Sequence, residues 1–174
     1  MVIMEVCMNK DYCHVEHPIE PVYDDRSQIL ILGSFPSVKS RQQEFFYGHP
    51  QNRFWKVVSG VLKCSVPVTI EEKKEMLHEH HIALWDVIAS CDIVGSSDSS
   101  IKNVVSNDLS KILEKADIKN IYANGGKAYE LYRRYTMDKT GRSIIKLPST
   151  SPANAAWNIE RLINAWNVIR NELR

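Results

Sequence analysis

The sequence predicts an α/β fold: a three-layer α/β/α arrangement on a central four-stranded parallel sheet. Three observations carry that expectation. Short apolar runs alternate with segments whose apolar residues recur at helical spacing, as in successive strand–helix units. The runs end at Gly33, near Ser90, at Asn124 and at Pro148, each beside a polar or glycine-bearing loop. With 174 residues, 44% hydrophobic and 25% charged, the chain has the size and composition of one domain with a substantial core. A single domain over 1–174 is expected, with 1–27 an extended N-terminal segment, because Pro18 and Pro21 bar a helix there.

Gln28–Leu32 is the first predicted strand. Arg53–Leu62 reads as a helix burying Phe54, Trp55, Val58, Val61 and Leu62. Thr69 and Glu72 have the spacing of a capping box and should open a second helix ending near His80. Ile82–Ala89 is the second strand. Asp86 interrupts it and needs a partner, a backbone amide or an arginine. Cys91–Ser100 is a loop, and Asn107–Lys115 a helix with Leu109, Ile112 and Leu113 inward. Ile118–Ala123 is the third strand, and Asn124-Gly125-Gly126 turns into a helix reaching about Tyr135. Ser143–Leu147 is the fourth strand. After Ser149–Pro152 a long final helix follows, with Ser151 as N-cap, Pro152 at the first helical position, and Ile159, Leu162, Ile163, Trp166, Ile169 and Leu173 as its apolar stripe. In such a sheet all four strand ends face one way, and ligands bind there.

Several chemistries lack support. No apolar run approaches the ~20 residues of a membrane helix, and the amino terminus does not read as a signal peptide, so the expected location is cytoplasmic. Cys7, Cys13, Cys64 and Cys91 form no C-x-x-C pair and are expected to be isolated thiols. His78, His80 and His81 would diverge on a helix end, so no metal site is expected. Neither dinucleotide nor P-loop glycine patterns occur, and no G-x-S-x-G elbow. The net charge of +1 excludes nothing, but residues 126–146 concentrate Lys127, Arg133, Arg134, Lys139, Arg142 and Lys146 against Glu130 and Asp138. Such a basic excess suits a phosphate-facing surface or a solvated helix face.

The richest stretch is Ile29–Val58, where Gly33-Ser-Phe-Pro-Ser37 is followed by Tyr47-Gly-His-Pro-Gln-Asn-Arg-Phe-Trp-Lys56. Flat aromatic faces beside amides and hydroxyls suit the capture of a flat heterocycle. This stretch resembles the first motif of the uracil-DNA glycosylase superfamily, and is most similar to its DNA-deoxyinosine (hypoxanthine-DNA) glycosylase branch. Leu147-Pro-Ser-Thr-Ser-Pro-Ala-Asn154 resembles the second motif, a Pro-Ser loop that enters the DNA minor groove. The likeness runs over about residues 16 to 170.

The resemblance implies a monofunctional DNA glycosylase acting as a monomer on DNA containing deaminated bases. It releases hypoxanthine by base flipping and water attack, with no cofactor. It implies Tyr47 as the residue stacking on the base, with Phe46 or Phe35 in support. Phe45 and Phe46 are equally explained as core. Ser34 and Phe35 belong to the base site. Phe35 stands where mismatch-type relatives carry a water-orienting Asn, and in the deoxyinosine branch the implicated residue matches Asn52. Asn52 is therefore the expected catalytic residue, with N-cap of the Arg53 helix as its rival role. Ser149, Thr150, Ser151, Pro152 and Ala153 are expected to meet DNA, and Arg142 and Lys146 to bind its phosphates. His49 orients the loop, and Asp98 is the second candidate for activating water. Uracil excision is the alternative activity. A base- or nucleotide-binding module without catalysis is the alternative of another class.

Overall fold

The computed structural model describes residues 11–173. Expectations for residues 1–10, Cys7 among them, lie outside that range. The parallel sheet is present, in the order β3-β2-β6-β7. Its strands are β2 (Ile29–Gly33), β3 (Ile82–Asp86), β6 (Asn120–Asn124) and β7 (Ile145–Leu147). Ile29, Leu30, Ile31 and Leu32 are fully buried, as expected of a central strand covered on both faces. Gly33 pairs with Asp86, and Asn124 with Leu147, so these strand ends share one rim.

Helices flank the sheet. They are α1 (Val38–Gln43), α2 (Phe54–Leu62), α3 (Ile70–Glu79), α4 (Ser110–Lys115), α5 (Gly126–Tyr135), α6 (Met137–Thr140) and α7 (Ile159–Trp166). The capping box is formed: the Thr69 hydroxyl accepts from Glu72 N–H, and the Glu72 carboxylate accepts from Thr69 N–H. α2 packs on α7, whose Trp166 donates to the Pro148 carbonyl beneath the rim.

The structure corrects four expectations. First, the predicted strand Ile82–Ala89 is two strands. It breaks after Asp86, and β4 (Ile88–Ile93) joins a second, antiparallel sheet with β1 (Cys13–Glu16) and β5 (Lys102–Ser106). Buried Asn107 clamps the corner by donating to the carbonyls of Asp86 and Ile88. Second, the N-terminal segment, expected only as extended chain, contributes strand β1 to the second sheet, and Ile19 and Val22 lie in the core. Third, the last helix begins at Ile159, not at Pro152. Its cap is Asn158, whose side chain accepts from Arg161 N–H, while the Ser151 hydroxyl accepts from Ala153 N–H in a separate turn. Fourth, Cys13 is disulfide-bonded, whereas Cys64 and Cys91 are free. No helix among the described residues is long and apolar enough to cross a membrane.

The Asn107 clamp leads to a stability prediction. Asn107→Ala leaves two buried carbonyls without their donor and should cost about 1–3 kcal/mol. Urea unfolding should show a lower midpoint at an unchanged slope.

Candidate active site

A cavity of about 270 Å³ opens at the carboxyl rim of the parallel sheet. The loop after β2 supplies Ser34, Phe35, Tyr47, His49 and Asn52. The β3 end supplies Asp86, the 3₁₀ turn Asp98–Ser100 supplies Asp98, β6 supplies Asn124, and the loop after β7 supplies Ser149–Pro152. The two segments singled out in the sequence therefore meet, about 100 residues apart in the chain.

Arg53 joins them. Its guanidinium donates to the carbonyls of Ser151 (2.9 Å), Asn154 (3.1 Å) and Trp157, and more weakly to Thr150. Its backbone N–H also donates to the Thr150 carbonyl, at 3.1 Å. A planar fork of donors fits this task; a lysine would offer a single point charge.

Asn52 is tied at its oxygen. Oδ1 accepts from Phe54 N–H and from the Thr150 hydroxyl, both at 2.9 Å. The Phe54 bond fixes which end of the amide is oxygen. The capping role is therefore real, and only Nδ2 is left to act in the cavity. Thr150 in turn accepts from Asn124 Nδ2 at 2.9 Å, and its N–H donates to Asn124 Oδ1 at 3.0 Å. Thr150 has a relative exposure of 0%, and its hydroxyl and N–H are both engaged inside the protein. It bridges Asn52 and Asn124.

Tyr47 lies against Phe54, ring centroids 4.0 Å apart and nearly parallel. Phe54, rather than Phe46 or Phe35, is thus its support. Phe45 stacks on Trp55 in the core, while Phe46 and Phe35 are buried residues whose edges line the cavity. The Tyr47 hydroxyl is buried and has no hydrogen-bond partner among the described residues. The Asn124 amide approaches it without bonding geometry. Burial, reinforced by the charge of Asp86, pushes its pKa far up, so it stays protonated.

Two carboxylates line the cavity. Asp98 accepts from the Ser34 hydroxyl at 3.2 Å. Its residue surface is exposed, but the carboxyl sits in a recess, and loss of bulk water raises its pKa; Ser34 and Lys127 pull the other way. Asp86 has its partner in buried His17, Nε2 to Oδ2 at 2.7 Å. The partner is neither an amide nor an arginine, and nothing local in the sequence pointed to a residue 69 positions away. His49 Nδ1 accepts from Gln51 N–H, a loop-shaping contact.

The remaining expected DNA-facing residues divide. Ser149, Ser151, Pro152 and Ala153 form the lip of the cavity and of a groove that continues past Gly126, Lys146 and Trp157. Gly125, at φ +95°, is needed there: a Cβ would come within 3.0 Å of Ser149 Cβ. Arg142 is elsewhere. Its guanidinium donates to the carbonyls of Ile118 and Lys119, before β6, at the opposite end of the sheet. No group of three or more His, Cys, Asp or Glu among the described residues is arranged to hold a metal.

Arg53→Lys should release the lip. The expected outcome is a stability loss of at least about 2 kcal/mol, since hydrogen bonds from a charged donor are the strong ones. Limited proteolysis should cut faster between residues 149 and 157 in the variant than in the wild type.

Comparison with known proteins agrees with this geometry. Residues 20–170 match the family model described as the uracil DNA glycosylase superfamily. A protein of Methanosarcina acetivorans named hypoxanthine DNA glycosylase is 34% identical over 142 residues, 80% of this chain and 89% of the relative. A Methanosarcina barkeri protein of the same name is 33% identical over 112 residues, 63% of this chain and 71% of the relative. The solution NMR structure of a candidate uracil DNA glycosylase from Methanosarcina acetivorans superposes with a TM-score of 0.74 at 32% identity, covering 90% of this chain and 97% of that one. The rim cavity, its two convergent loops and the extent of the match lead to one conclusion: the chain belongs to the uracil DNA glycosylase superfamily.

Proposed function

We propose that the chain is a monofunctional DNA glycosylase that hydrolyses the N-glycosidic bond of deoxyinosine and releases hypoxanthine. One observation carries this: an aromatic wall, a fixed amide and a carboxylate meet in a single cavity at the junction of two loops. The two Methanosarcina relatives, by their name, support hypoxanthine as the base. A DNA substrate, with the enzyme acting as a monomer in the cytoplasm, completes the proposal.

The base must leave the duplex, at a cost of a few kcal/mol. Stacking on Tyr47 returns roughly 1–3 kcal/mol. Pro152 and Ala153, exposed at the lip, fill the vacated space, and Ser149, Ser151 and Lys146 meet the flanking phosphates. Asn52 Nδ2 holds the attacking water through the water oxygen. With its own oxygen occupied, Asn52 cannot take the proton, so Asp98 takes it as the C1′–O bond forms. The negative Asp98 also favours the cationic sugar. The electron pair of the broken bond leaves with the base, which is protonated from solvent. No lysine among the described residues lines the cavity, and water rather than a Schiff base is taken as the nucleophile.

Uracil release is the second proposal, favoured by the description of the superposed Methanosarcina structure. A non-catalytic module would rest on the lack of a carboxylate at the site, and Asp86 and Asp98 remove that argument. Duplexes containing deoxyinosine or deoxyuridine, scored for abasic sites, separate the three. Faster cleavage of deoxyinosine is expected.

Three variants test the roles. Asn52→Ala should lower the single-turnover rate at least ~10-fold with DNA affinity little changed, because positioning water is worth a kcal/mol or more. Asp98 must be ionised to accept a proton. As its pKa is raised, the wild-type rate should climb with pH through a limb above the usual carboxylate range and then level off. Asp98→Asn should be slow and lack that limb. Lys146→Glu should weaken binding equally for damaged and undamaged DNA and lower the salt slope by about one, read by titration at several salt concentrations.

A further inference from the structure

The turn that carries Asp98 has little of its own to hold it. Residues 95–99 read Gly-Ser-Ser-Asp-Ser, all exposed, with no apolar side chain to bury. Gly95 takes a left-handed backbone, at φ +56°, and no atom lies within 4 Å of where a Cβ would stand. Bonds inside the turn, such as Ser97 N–H to the Val94 carbonyl and Ser100 N–H to the Ser97 carbonyl, shape it without fixing it to the body. A stretch that buries no apolar surface opens locally unless polar contacts hold it. Among the described residues, three hydrogen bonds reach the turn from outside, all from the segment after β2. Ser34 Oγ donates to Asp98 Oδ1 at 3.2 Å, Val38 N–H donates to the Ser96 hydroxyl at 2.9 Å, and Arg41 Nη2 donates to the Gly95 carbonyl at 2.9 Å. Arg41 stands half-buried in the last turn of α1, its guanidinium 5.6 Å from the centroid of the Phe35 ring beneath it. This cation is committed to a backbone carbonyl, and no carboxylate among the described residues pairs with it.

We propose that Arg41 is a positioning residue for Asp98: by pinning the Gly95 carbonyl to α1, it holds the Asp98 turn against the cavity. The proposal rests on the reading above, in which Asp98 takes the proton from water. Arg41 does not line the cavity and acts through geometry alone. Its hydrogen bond has a charged donor and is the strongest of the three tethers. A general base works only within hydrogen-bond reach of the proton it takes, and a displacement of ~1 Å can cost on the order of 100-fold in rate. Position and charge predict opposite signs here. The groups that face the Asp98 carboxyl are Ser34 from the loop after β2, Lys127 from α5 and Asp86 from the end of β3. Loss of bulk water outweighs them and leaves the pKa raised, so release of the turn readmits water and lowers it. Losing a nearby positive charge can only raise a carboxylate's pKa.

The test is a double-mutant cycle, read by single-turnover release of hypoxanthine from deoxyinosine duplexes. Arg41→Met keeps an unbranched chain over Phe35 and removes both charge and donors. It should slow the wild type at least ~10-fold, move the rising limb of the pH profile to lower pH, and leave DNA affinity within ~2-fold. In an Asp98→Asn background the same substitution should change the rate by less than ~2-fold. Arg41→Lys, which keeps the charge but offers a single point donor, should fall between. Hydrogen exchange over residues 94–100 should quicken at least ~10-fold in Arg41→Met while β2 and β6 keep their protection. Losses that multiply in the double variant, or unchanged exchange in the turn, overturn the proposal while deoxyinosine cleavage stands. A limb moved to higher pH overturns it too, because that is the mark of lost charge. Affinity lost equally for damaged and undamaged DNA would make Arg41 a phosphate contact and also overturns it. Should Arg41→Met not fold, Arg41→Lys takes its place in the cycle under the same criteria. Asp98→Asn as fast as the wild type removes the proton-accepting role and the proposal with it. No release of hypoxanthine or uracil by the wild type would remove the glycosylase reading as well.

Discussion

The site depends on one contact, the Arg53 guanidinium seated among the carbonyls of the second loop. Residues 149–157 have almost no regular structure of their own, and their carbonyls point inward. Without a donor those groups would either face water, spreading the loop, or stay buried unpaired at about 1–3 kcal/mol each. Arg53 supplies the donors from the start of α2, whose first turn also carries Phe54. The wall behind Tyr47, the amide of Asn52 and the lip of the cavity thus share one anchor. A cation that looks from the sequence like a candidate for phosphate is used internally instead.

The polar network behind the anchor has the same economy. Asn52, Thr150 and Asn124 form a chain in which nearly every donor and acceptor is matched. Beside it, the Tyr47 hydroxyl is buried at the cavity with no hydrogen-bond partner among the described residues. Buried groups left open in an otherwise satisfied network mark where a ligand is to complete it. Two carboxylates also keep the recess negative in a nearly neutral chain, so affinity for the DNA backbone has to come from outside it.

Much of this was legible in the sequence, for definite reasons. The apolar run Ile29–Leu32 could only be a central strand. Thr69 and Glu72 sit at a spacing that few other structures use. The aromatic and amide residues around Asn52 pointed to a pocket, and Phe35, Tyr47 and Asn52 line the cavity. What escaped has physical causes too. Strand β4 mixes buried and half-exposed residues and follows a buried strand with only Val87 between, so pattern alone fused its start to that strand. The His17–Asp86 pair spans elements whose adjacency is a product of the fold. Arg142 was misplaced because a charge is compatible with a surface, and only its partners show that it is spent inside. The late start of α7 reflects competition: Ser151 can close a short turn as readily as it can cap a helix.

The Tyr47–Phe54 stack has a consequence for how a base would enter. Tyr47 holds a left-handed backbone, at φ +54°, an uncommon conformation for a side chain of this size. Its ring is backed by a residue in the first turn of α2. The wall therefore cannot swing aside without moving the helix, and its freedom is given up at folding rather than at binding. A base stacking there, as proposed, would meet a flat surface already fixed by its packing, with little ordering entropy left to lose. The same rigidity makes planarity a condition of entry. A ring puckered by saturation keeps its hydrogen-bonding edge but loses face-to-face contact with a wall that cannot follow its shape.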